Sequence, residues 1–155
     1  MNIEYNRGGM GLPQSRSKAR KLWLRAGELG HDAAHCCVGY AYEHGEGVER
    51  DVATAKYYYE LAAIGGNVTA RYNLGLLEEN AGNVNRAVKH WMISAAAGYD
   101  NSLTAIREFF MSGYVTKHDF EKALRSHKEA KDEMMTSDQR EACAAAMQDG
   151  RLQTR

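Results

Sequence analysis

The stretch that decides the fold runs from Ala34 to Gly66 and reads AHCCVGYAYEHGEGVERDVATAKYYYELAAIGG. Its small and aromatic residues return along the chain at nearly constant intervals. One alanine position recurs at offsets of 36, 32 and 36 residues, at Ala19, Ala55, Ala87 and Ala123. Self-similarity at such a period is typical of a repeat architecture in which each unit is one supersecondary motif.

The residues that follow each of these alanines repeat as well. Four positions later stand Trp23, Tyr59, Trp91 and His127. Three positions further on stand Ala26, Ala62, Ser94 and Ala130. Positions i, i+4 and i+7 share one face of a helix. We therefore expect the small residues to let two helix backbones approach, while the aromatic side chain fills the space between them.

Two kinds of glycine occur at fixed places in the period. Gly30, Gly66 and Gly98 each close a predicted helix, where a left-handed backbone favours glycine. Gly39 and Gly75 lie inside predicted helices, where each costs about 1 kcal/mol relative to alanine. Because that cost recurs in register, we expect a neighbouring helix to need the room above these two glycines.

Each unit is predicted to be two helices joined by a loop. First helices are predicted over 32–44, 67–80 and 100–112, and second helices over 16–29, 51–64, 83–97 and 117–133. A last helix is predicted over 137–149, with Ser137 or Thr136 as its cap. The charge-dense segment 117–133 is interpreted as a solvated end, and the pair Glu78–Glu79 as a solvated edge.

Composition and charge exclude several classes of protein. The 155 residues include 20 Lys+Arg and 20 Asp+Glu, so the formal net charge is zero. A nucleic-acid-binding face needs excess positive charge, and we expect no such partner. No run approaches the roughly 20 apolar residues that span a bilayer, and the first seven residues lack the apolar core of a secretory signal. We therefore expect no membrane partner.

Written as a pattern, the deciding stretch is Ala34-x3-Val38-Gly39-x2-Tyr42-x2-Gly45-x-Gly47-Val48-x2-Asp51-x3-Ala55-x2-Tyr58-Tyr59-x2-Ala62-Ala63-x2-Gly66. This pattern resembles the Sel1-like repeat, a relative of the tetratricopeptide repeat. The resemblance covers about residues 5–134. It implies an all-α fold, a right-handed α-solenoid (an α/α superhelix) of antiparallel helix-turn-helix repeats.

The resemblance also implies how the chain is divided. About three and a half repeats are expected in residues 1–134, as a partial repeat over 5–31 and further repeats over 32–66, 67–98 and 99–134. A C-terminal capping helix and tail are expected over 135–155. The partial repeat lacks most of its first helix, so the chain resembles a piece of a longer array. The third copy has Glu78 in place of Tyr42, and the fourth has Arg107 in place of Gly39.

For function, the resemblance implies a non-enzymatic scaffold or adaptor without a cofactor, whose concave groove binds a peptide or protein segment. In the related tetratricopeptide pattern, groove positions lie three before, one after and four after the helical glycine. They are Cys36, Tyr40 and Glu43; Tyr72, Leu76 and Glu79; and Thr104, Glu108 and Met111. Apolar anchors with three glutamates would favour a basic segment. Alternatively, Tyr40, Tyr72 and Leu76 simply pack between repeats.

Two other functions stay open at this point. The chain could be a structural spacer within a longer array, with no groove ligand. It could also be a thiol or metal protein that uses His31, His35, Cys36 and Cys37, although these four do not form a recognisable zinc motif. We expect no metal, and we interpret Cys37 as a small core residue.

The cysteines indicate a cellular compartment, and the first repeat indicates a way in which two copies could associate. Three cysteines, two of them adjacent, do not form a disulfide framework, so we expect reduced thiols and a cytoplasmic location. The open first repeat leaves an apolar edge at which a second copy could associate.

Overall fold

A computed structural model describes residues 12–148, apart from the side chains of residues 12–16, 18 and 22. These residues form seven helices and no strand, which confirms the all-α prediction. The helices are α1 (Leu12–Glu28), α2 (Asp32–His44), α3 (Val52–Ile64), α4 (Val68–Asn80), α5 (Val84–Ala96), α6 (Asp100–Met111) and α7 (Lys117–Gln148). The predicted bounds of α2 to α6 are correct to within one residue.

Side-chain caps and left-handed glycines set several of the helix ends. Asp51 and Asn67 precede α3 and α4, and each side chain accepts a hydrogen bond from the backbone N–H three residues later, at 3.1 and 2.8 Å. Gly30, Gly66 and Gly98 have φ values of 94°, 102° and 93°. The predicted helix-closing role of these three glycines is therefore confirmed.

The chain divides into two compact units between Ser94 and Ala95. In the first unit, α3 and α4 supply a cluster of buried side chains against which Cys36 and Tyr42 of α2 pack. The cluster consists of Ala55, Tyr59, Ala62, Ala63, Ala70, Leu74 and Leu77. Its many alanines keep the helix axes close together, as the repeat pattern predicts.

The two helical glycines of the repeat pattern, Gly39 and Gly75, each lie directly under an aromatic ring. Tyr59 and Trp91 are 0% exposed. A Cβ built on Gly39 would lie 2.7 Å from Cδ1 of Tyr59, and one built on Gly75 would overlap the indole of Trp91. The indole N–H of Trp91 also donates a hydrogen bond to the carbonyl of Tyr72, at 3.3 Å. The prediction that a neighbouring helix needs this room is confirmed.

Glu78 does not lie on a solvated edge, contrary to the sequence interpretation. It is 5% exposed, and its carboxylate lies 3.1 Å from the ammonium of Lys56. The side-chain amide of Asn83 donates a hydrogen bond of 2.9 Å to Oε1 of the same carboxylate. The hydrogen bond from Asn83 and then the charge of Lys56 hold the pKa of Glu78 below its ordinary value. A charge can be buried here because both oxygens of its carboxylate have partners.

In the second unit, a polar contact stands where the earlier repeats have a ring on a glycine. His127 holds the aromatic position, and its Nε2 lies 2.8 Å from Oδ1 of Asp100 at the start of α6. The ammonium of Lys131 lies 3.2 Å from the same oxygen. These two contacts, His127 first, lower the pKa of Asp100. Arg107, at the glycine position, is exposed.

The prediction of a separate helix over 137–149 is wrong, because α7 continues without a break from Lys117 to Gln148. Thr136 does not act as a cap, since its hydroxyl donates to the carbonyl of Asp132 at 2.9 Å, one helical turn back. No glycine or proline interrupts this segment. The charge-dense first half of α7 is largely exposed, as expected for a solvated end.

We predict that Gly75→Ala destabilises the fold, although alanine is the better helix former. The new methyl group would overlap the buried indole of Trp91, and overpacking a filled core costs about 1–3 kcal/mol, against a propensity gain of about 1 kcal/mol. Urea denaturation should therefore show a lower free energy of unfolding for Gly75→Ala than for the wild type. The control Asn85→Ala, at an exposed position of α5, should change the free energy of unfolding by at most about 0.5 kcal/mol. Unchanged stability in Gly75→Ala would contradict this packing.

A second prediction concerns pH. Because the folded pKa of Glu78 is lowered, its ionised form stabilises the fold fully above the unfolded pKa of about 4.3. That contribution is lost as the pH falls through the lowered folded pKa. In urea titrations from neutral pH downward, the stability advantage of the wild type over Glu78→Gln should therefore shrink in acid. Asn83→Ala removes the hydrogen bond that lowers the pKa of Glu78 most, so it should reduce this pH dependence. If the stabilities of the wild type and Glu78→Gln changed in parallel with pH, the prediction would be wrong.

Candidate interaction surface

The nine predicted groove positions lie on α2, α4 and α6, the first helices of the repeats. In the structure all nine are half-buried or exposed. The sets on α2 and α4 belong to the first compact unit, and the set on α6 belongs to the second. Within each set the spacing i, i+4, i+7 places the three residues along one side of their helix.

On α2, the predicted tyrosine is exposed to solvent, whereas the predicted glutamate is bound by a core residue. Tyr40 is 48% exposed, and its ring packs on His44 with the ring centroids 4.2 Å apart. Glu43 is half-buried, and its Oε1 accepts a hydrogen bond of 2.6 Å from the hydroxyl of Tyr59. Burial first, and then this hydrogen bond, raise the pKa of Tyr59, so its hydroxyl stays a donor. Glu43 therefore supports the core contact more than it offers a free charge.

The two adjacent cysteines are placed the other way round from the sequence interpretation. Cys36, a predicted groove residue, is half-buried and packs against the core cluster. Burial, with a smaller effect from Cys37, raises the pKa of Cys36 to about 11. Cys37, interpreted as a core residue, is exposed. Since one residue turns a helix by about 100°, only one of the two can face the core. Both cysteines, and Cys143, are free thiols.

The set on α4 is half-buried throughout. Tyr72, Leu76 and Glu79 all keep part of their surface open, while the backbone carbonyl of Tyr72 receives the indole of Trp91. Leu76 follows the glycine under that indole, so the helix that covers the core ring also carries the predicted groove face.

The set on α6 is the most open of the three. Glu108 and Met111 are exposed. The hydroxyl of Thr104 is exposed but donates to the carbonyl of Asp100 at 3.2 Å, one turn back in its own helix. Among residues 12–148 the Glu108 carboxylate has no hydrogen bond or ion pair, and it lies on the same side of α6 as the apolar Met111, which suits an apolar anchor flanked by a basic group.

An apolar pocket lies between α1 and α2, in the first repeat, where the sequence predicts an apolar edge but not the residues that line it. The pocket has a volume of about 160 Å³ and is lined by Trp23, Cys37, Tyr40, Ala41 and Glu46. Trp23 is expected to fill space between helices, yet it is 36% exposed.

The positions of the side chains in the cluster His31–Cys37 do not support a metal site. Among residues 12–148, no group of three or more His, Cys, Asp and Glu side chains is placed to hold a metal ion. The ring of His35 instead stacks on Tyr58, with the centroids 6.0 Å apart. In the same part of the chain, no helix is both long and apolar enough to cross a membrane.

Comparison with known proteins identifies the repeats. The model of the Sel1 repeat family matches residues 4–31 and 33–67. The ERAD-associated E3 ubiquitin-protein ligase component HRD3B of Arabidopsis thaliana is 37% identical over 67 residues. That alignment covers 43% of this chain and 11% of the plant protein. The chain therefore corresponds to about a tenth of the length of this curated relative.

Two solved structures share the fold. A Sel1 repeat protein from Oxalobacter formigenes superposes with a TM-score of 0.61 at 27% identity, over 74% of this chain and 49% of that one. The protective antigen c5321 of uropathogenic Escherichia coli, which displays an SLR fold, superposes with a TM-score of 0.59 at 29% identity. The match covers 72% of this chain and 25% of that one. The fold class is therefore the α-solenoid of helical repeats. Residues 4–31 and 33–67 are thus similar to Sel1 repeats, and proteins built from such repeats are typically protein–protein interaction modules and generally non-catalytic.

Proposed function

We propose that this chain is a non-enzymatic interaction scaffold whose first helices bind a peptide or protein segment. The observation that carries the proposal is a difference in exposure between the aromatic side chains of the first and second helices. The aromatic rings of the second helices, Tyr59 and Trp91, are 0% exposed, whereas Tyr40 on a first helix is 48% exposed. The core is thus filled without Tyr40, which leaves this ring available to a partner.

The exposure pattern argues against the alternative that the first-helix side chains merely pack between repeats. Tyr72 and Leu76 are half-buried, so each is fixed in position while presenting part of its surface. Partly buried aromatic and apolar side chains make good anchors, because little side-chain entropy remains to be lost on binding. This arrangement supports a segment with apolar side chains at regular intervals.

The charge of the partner follows from which glutamates are unoccupied. Glu43 already accepts the Tyr59 hydroxyl, so it contributes less than its position in the sequence suggests. Glu79 is half-buried and Glu108 is exposed. Each of these carboxylates, taken within its own compact unit, favours a lysine or arginine next to an apolar anchor, and each makes the association rate dependent on salt.

One observation favours a second candidate function, that of a structural spacer. The related region of HRD3B is about a tenth of that protein, so repeats of this kind occur there as one part of a long chain. A spacer would need the same packed core but no ligand on the first helices. The two functions differ in whether first-helix substitutions that preserve the fold change the binding of anything.

We predict that Tyr72→Ala and Leu76→Ala each weaken binding of a selected peptide at least about tenfold, or about 1.4 kcal/mol. Peptides with basic and apolar residues would be selected from a display library on the purified chain, and their affinity measured by isothermal titration calorimetry. Glu79→Lys should weaken the same peptides and reduce the salt dependence of the association rate.

The matched control for this experiment is Ile64→Ala. Ile64 is apolar and 81% exposed, but it lies on a second helix, away from the predicted face. Its substitution should leave the affinity unchanged. Circular dichroism would confirm that all variants keep their helices. Equal affinity of Tyr72→Ala, Leu76→Ala and Ile64→Ala, or failure of any peptide to be enriched, would favour the spacer.

A further inference from the structure

Arg20 of α1 carries a positive charge that no described residue neutralises. Its Nε atom is buried and has no hydrogen-bond partner. Among residues 12–148, its guanidinium group also forms no ion pair. Buried polar groups in folded proteins nearly always have a hydrogen-bond partner, so an exception needs a physical reason. The Arg20 side chain as a whole is half-buried, which leaves part of it open to solvent.

The next repeat shows which group neutralises a cation at this position. Lys56 stands 36 residues after Arg20, and Glu78 stands 36 residues after Tyr42. The ammonium of Lys56 lies 3.1 Å from the carboxylate of Glu78, which is 5% exposed. In the earlier repeat the cation is kept, but a tyrosine takes the place of the glutamate. A phenol with a pKa of about 10 carries no charge at neutral pH, so Tyr42 cannot neutralise Arg20.

The position that lacks the carboxylate lies within the described part of the chain. Lys56 of α3 is neutralised from α4, the first helix that follows it. The first helix that follows Arg20 is α2 (Asp32–His44), and the structure describes all of its residues. Glu28, the one acidic residue of α1, is eight residues from Arg20, or about 12 Å along the helix axis. It is exposed, and at this distance it does not take the role that Glu78 has for Lys56.

Aromatic rings of α2 and α3 lie beside this cation. The rings of Tyr42 and Tyr58 stack with their centroids 6.0 Å apart, and the ring of Tyr57 meets that of Tyr58 edge-on at 5.2 Å. Burial first, and then Tyr42 and Tyr57, raise the pKa of Tyr58, whereas the charge of Arg20 acts in the opposite direction. The cation therefore lies close to the stacked rings. A charge-assisted hydrogen bond beside apolar rings is stronger than one that is fully surrounded by water.

We propose that Arg20 binds a glutamate or aspartate carboxylate of an acidic segment of another protein, where α1, α2 and α3 meet. The guanidinium group donates hydrogen bonds to the carboxylate, and Tyr57, which is 56% exposed, contacts the neighbouring residues of the segment. The segment is acidic because a carboxylate neutralises the equivalent cation one repeat later. The first-helix face favours basic segments, so this surface is a different one, and the inference does not rest on the function proposed above.

The first test needs no ligand, because a carboxylate can be placed in the chain itself. Tyr42→Glu puts it at the position of Glu78, and Tyr42→Gln loses the same ring without adding a charge. In urea denaturation at neutral pH, the folding equilibrium constant of Tyr42→Glu should exceed that of Tyr42→Gln at least about fivefold. With Arg20→Gln also present, the two constants should agree within about twofold. Equal stability of Tyr42→Glu and Tyr42→Gln in the presence of Arg20 would overturn the proposal, because the Arg20 charge would then be neutralised already or out of reach.

The second test measures binding to the full chain. Short peptides with one fixed glutamate and random flanking residues would be selected from a display library, and their affinity measured by isothermal titration calorimetry. Arg20→Gln and Tyr42→Glu in the protein, and glutamine for the fixed glutamate of the peptide, should each weaken binding at least about tenfold. Lys21→Gln is the matched control, since it removes an adjacent, exposed cation of the same helix. It should change the affinity less than about threefold.

Other outcomes distinguish this surface from the first-helix face, and a protein segment from other anions. Tyr72→Ala should leave the binding of the selected glutamate peptides intact, so the two proposals can fail independently. If no glutamate peptide were enriched, or if Arg20→Gln bound the peptides as tightly as the wild type, the proposal would be overturned. Binding of a short RNA or of phosphatidylserine vesicles that Arg20→Gln abolishes, while no glutamate peptide is enriched, would also overturn the assignment to a protein segment.

Discussion

The contact between an aromatic ring of one helix and a glycine of its neighbour is the constraint on which the first unit depends. Tyr59 lies on Gly39 and Trp91 lies on Gly75, and both rings are completely buried. A helical glycine costs about 1 kcal/mol, whereas burying an aromatic side chain of about 150–250 Å² contributes several kcal/mol at roughly 25 cal/mol per Å². The balance favours the contact. It also fixes the register of each helix pair, because the ring fits only where the Cβ is missing.

The remaining repeats show what happens when one member of this contact is changed. Trp23 keeps the ring, but no glycine among the described residues lies on it, and its surface stays partly open. His127 keeps the position but is polar, and it is held by the carboxylate of Asp100 in place of a glycine. The repeated aromatic position is thus used in three ways: as a closed contact with a glycine, as a partly open ring and as a hydrogen bond to a carboxylate.

The same residues explain how much the sequence could predict. The period of Ala55 and Tyr59 reflects a local packing rule, and it located five helices to within one residue. The long α7 was divided wrongly because a threonine can cap a helix or bond to its own preceding turn, and the sequence around Thr136 contains no breaker that decides between them. Local sequence therefore predicts helix ends well only where glycine or an acidic cap forces them.

Partners that are distant in sequence explain the other errors. Glu78 looks like a surface residue until Lys56 of the preceding helix is placed beside it. For Cys36 and Cys37, the helical period requires that one faces the core but does not say which, and this depends on how α2 is rotated against the core cluster. Both cases involve a contact between helices that no single repeat contains.

The division between core and interaction surface also depends on hydrogen bonding. A buried tyrosine hydroxyl needs an acceptor, and in this chain Glu43 of the covering helix supplies it to Tyr59. A residue that the repeat pattern assigns to the groove is therefore partly used by the fold. Trp91 makes no such demand on a side chain, because its N–H is satisfied by the backbone carbonyl of Tyr72. Glu79, three positions after Leu76 on the helix that covers Trp91, is consequently free of that role. Whether a repeat has tyrosine or tryptophan at its core thus decides whether the acidic residue on its first helix supports the core or is left for a partner.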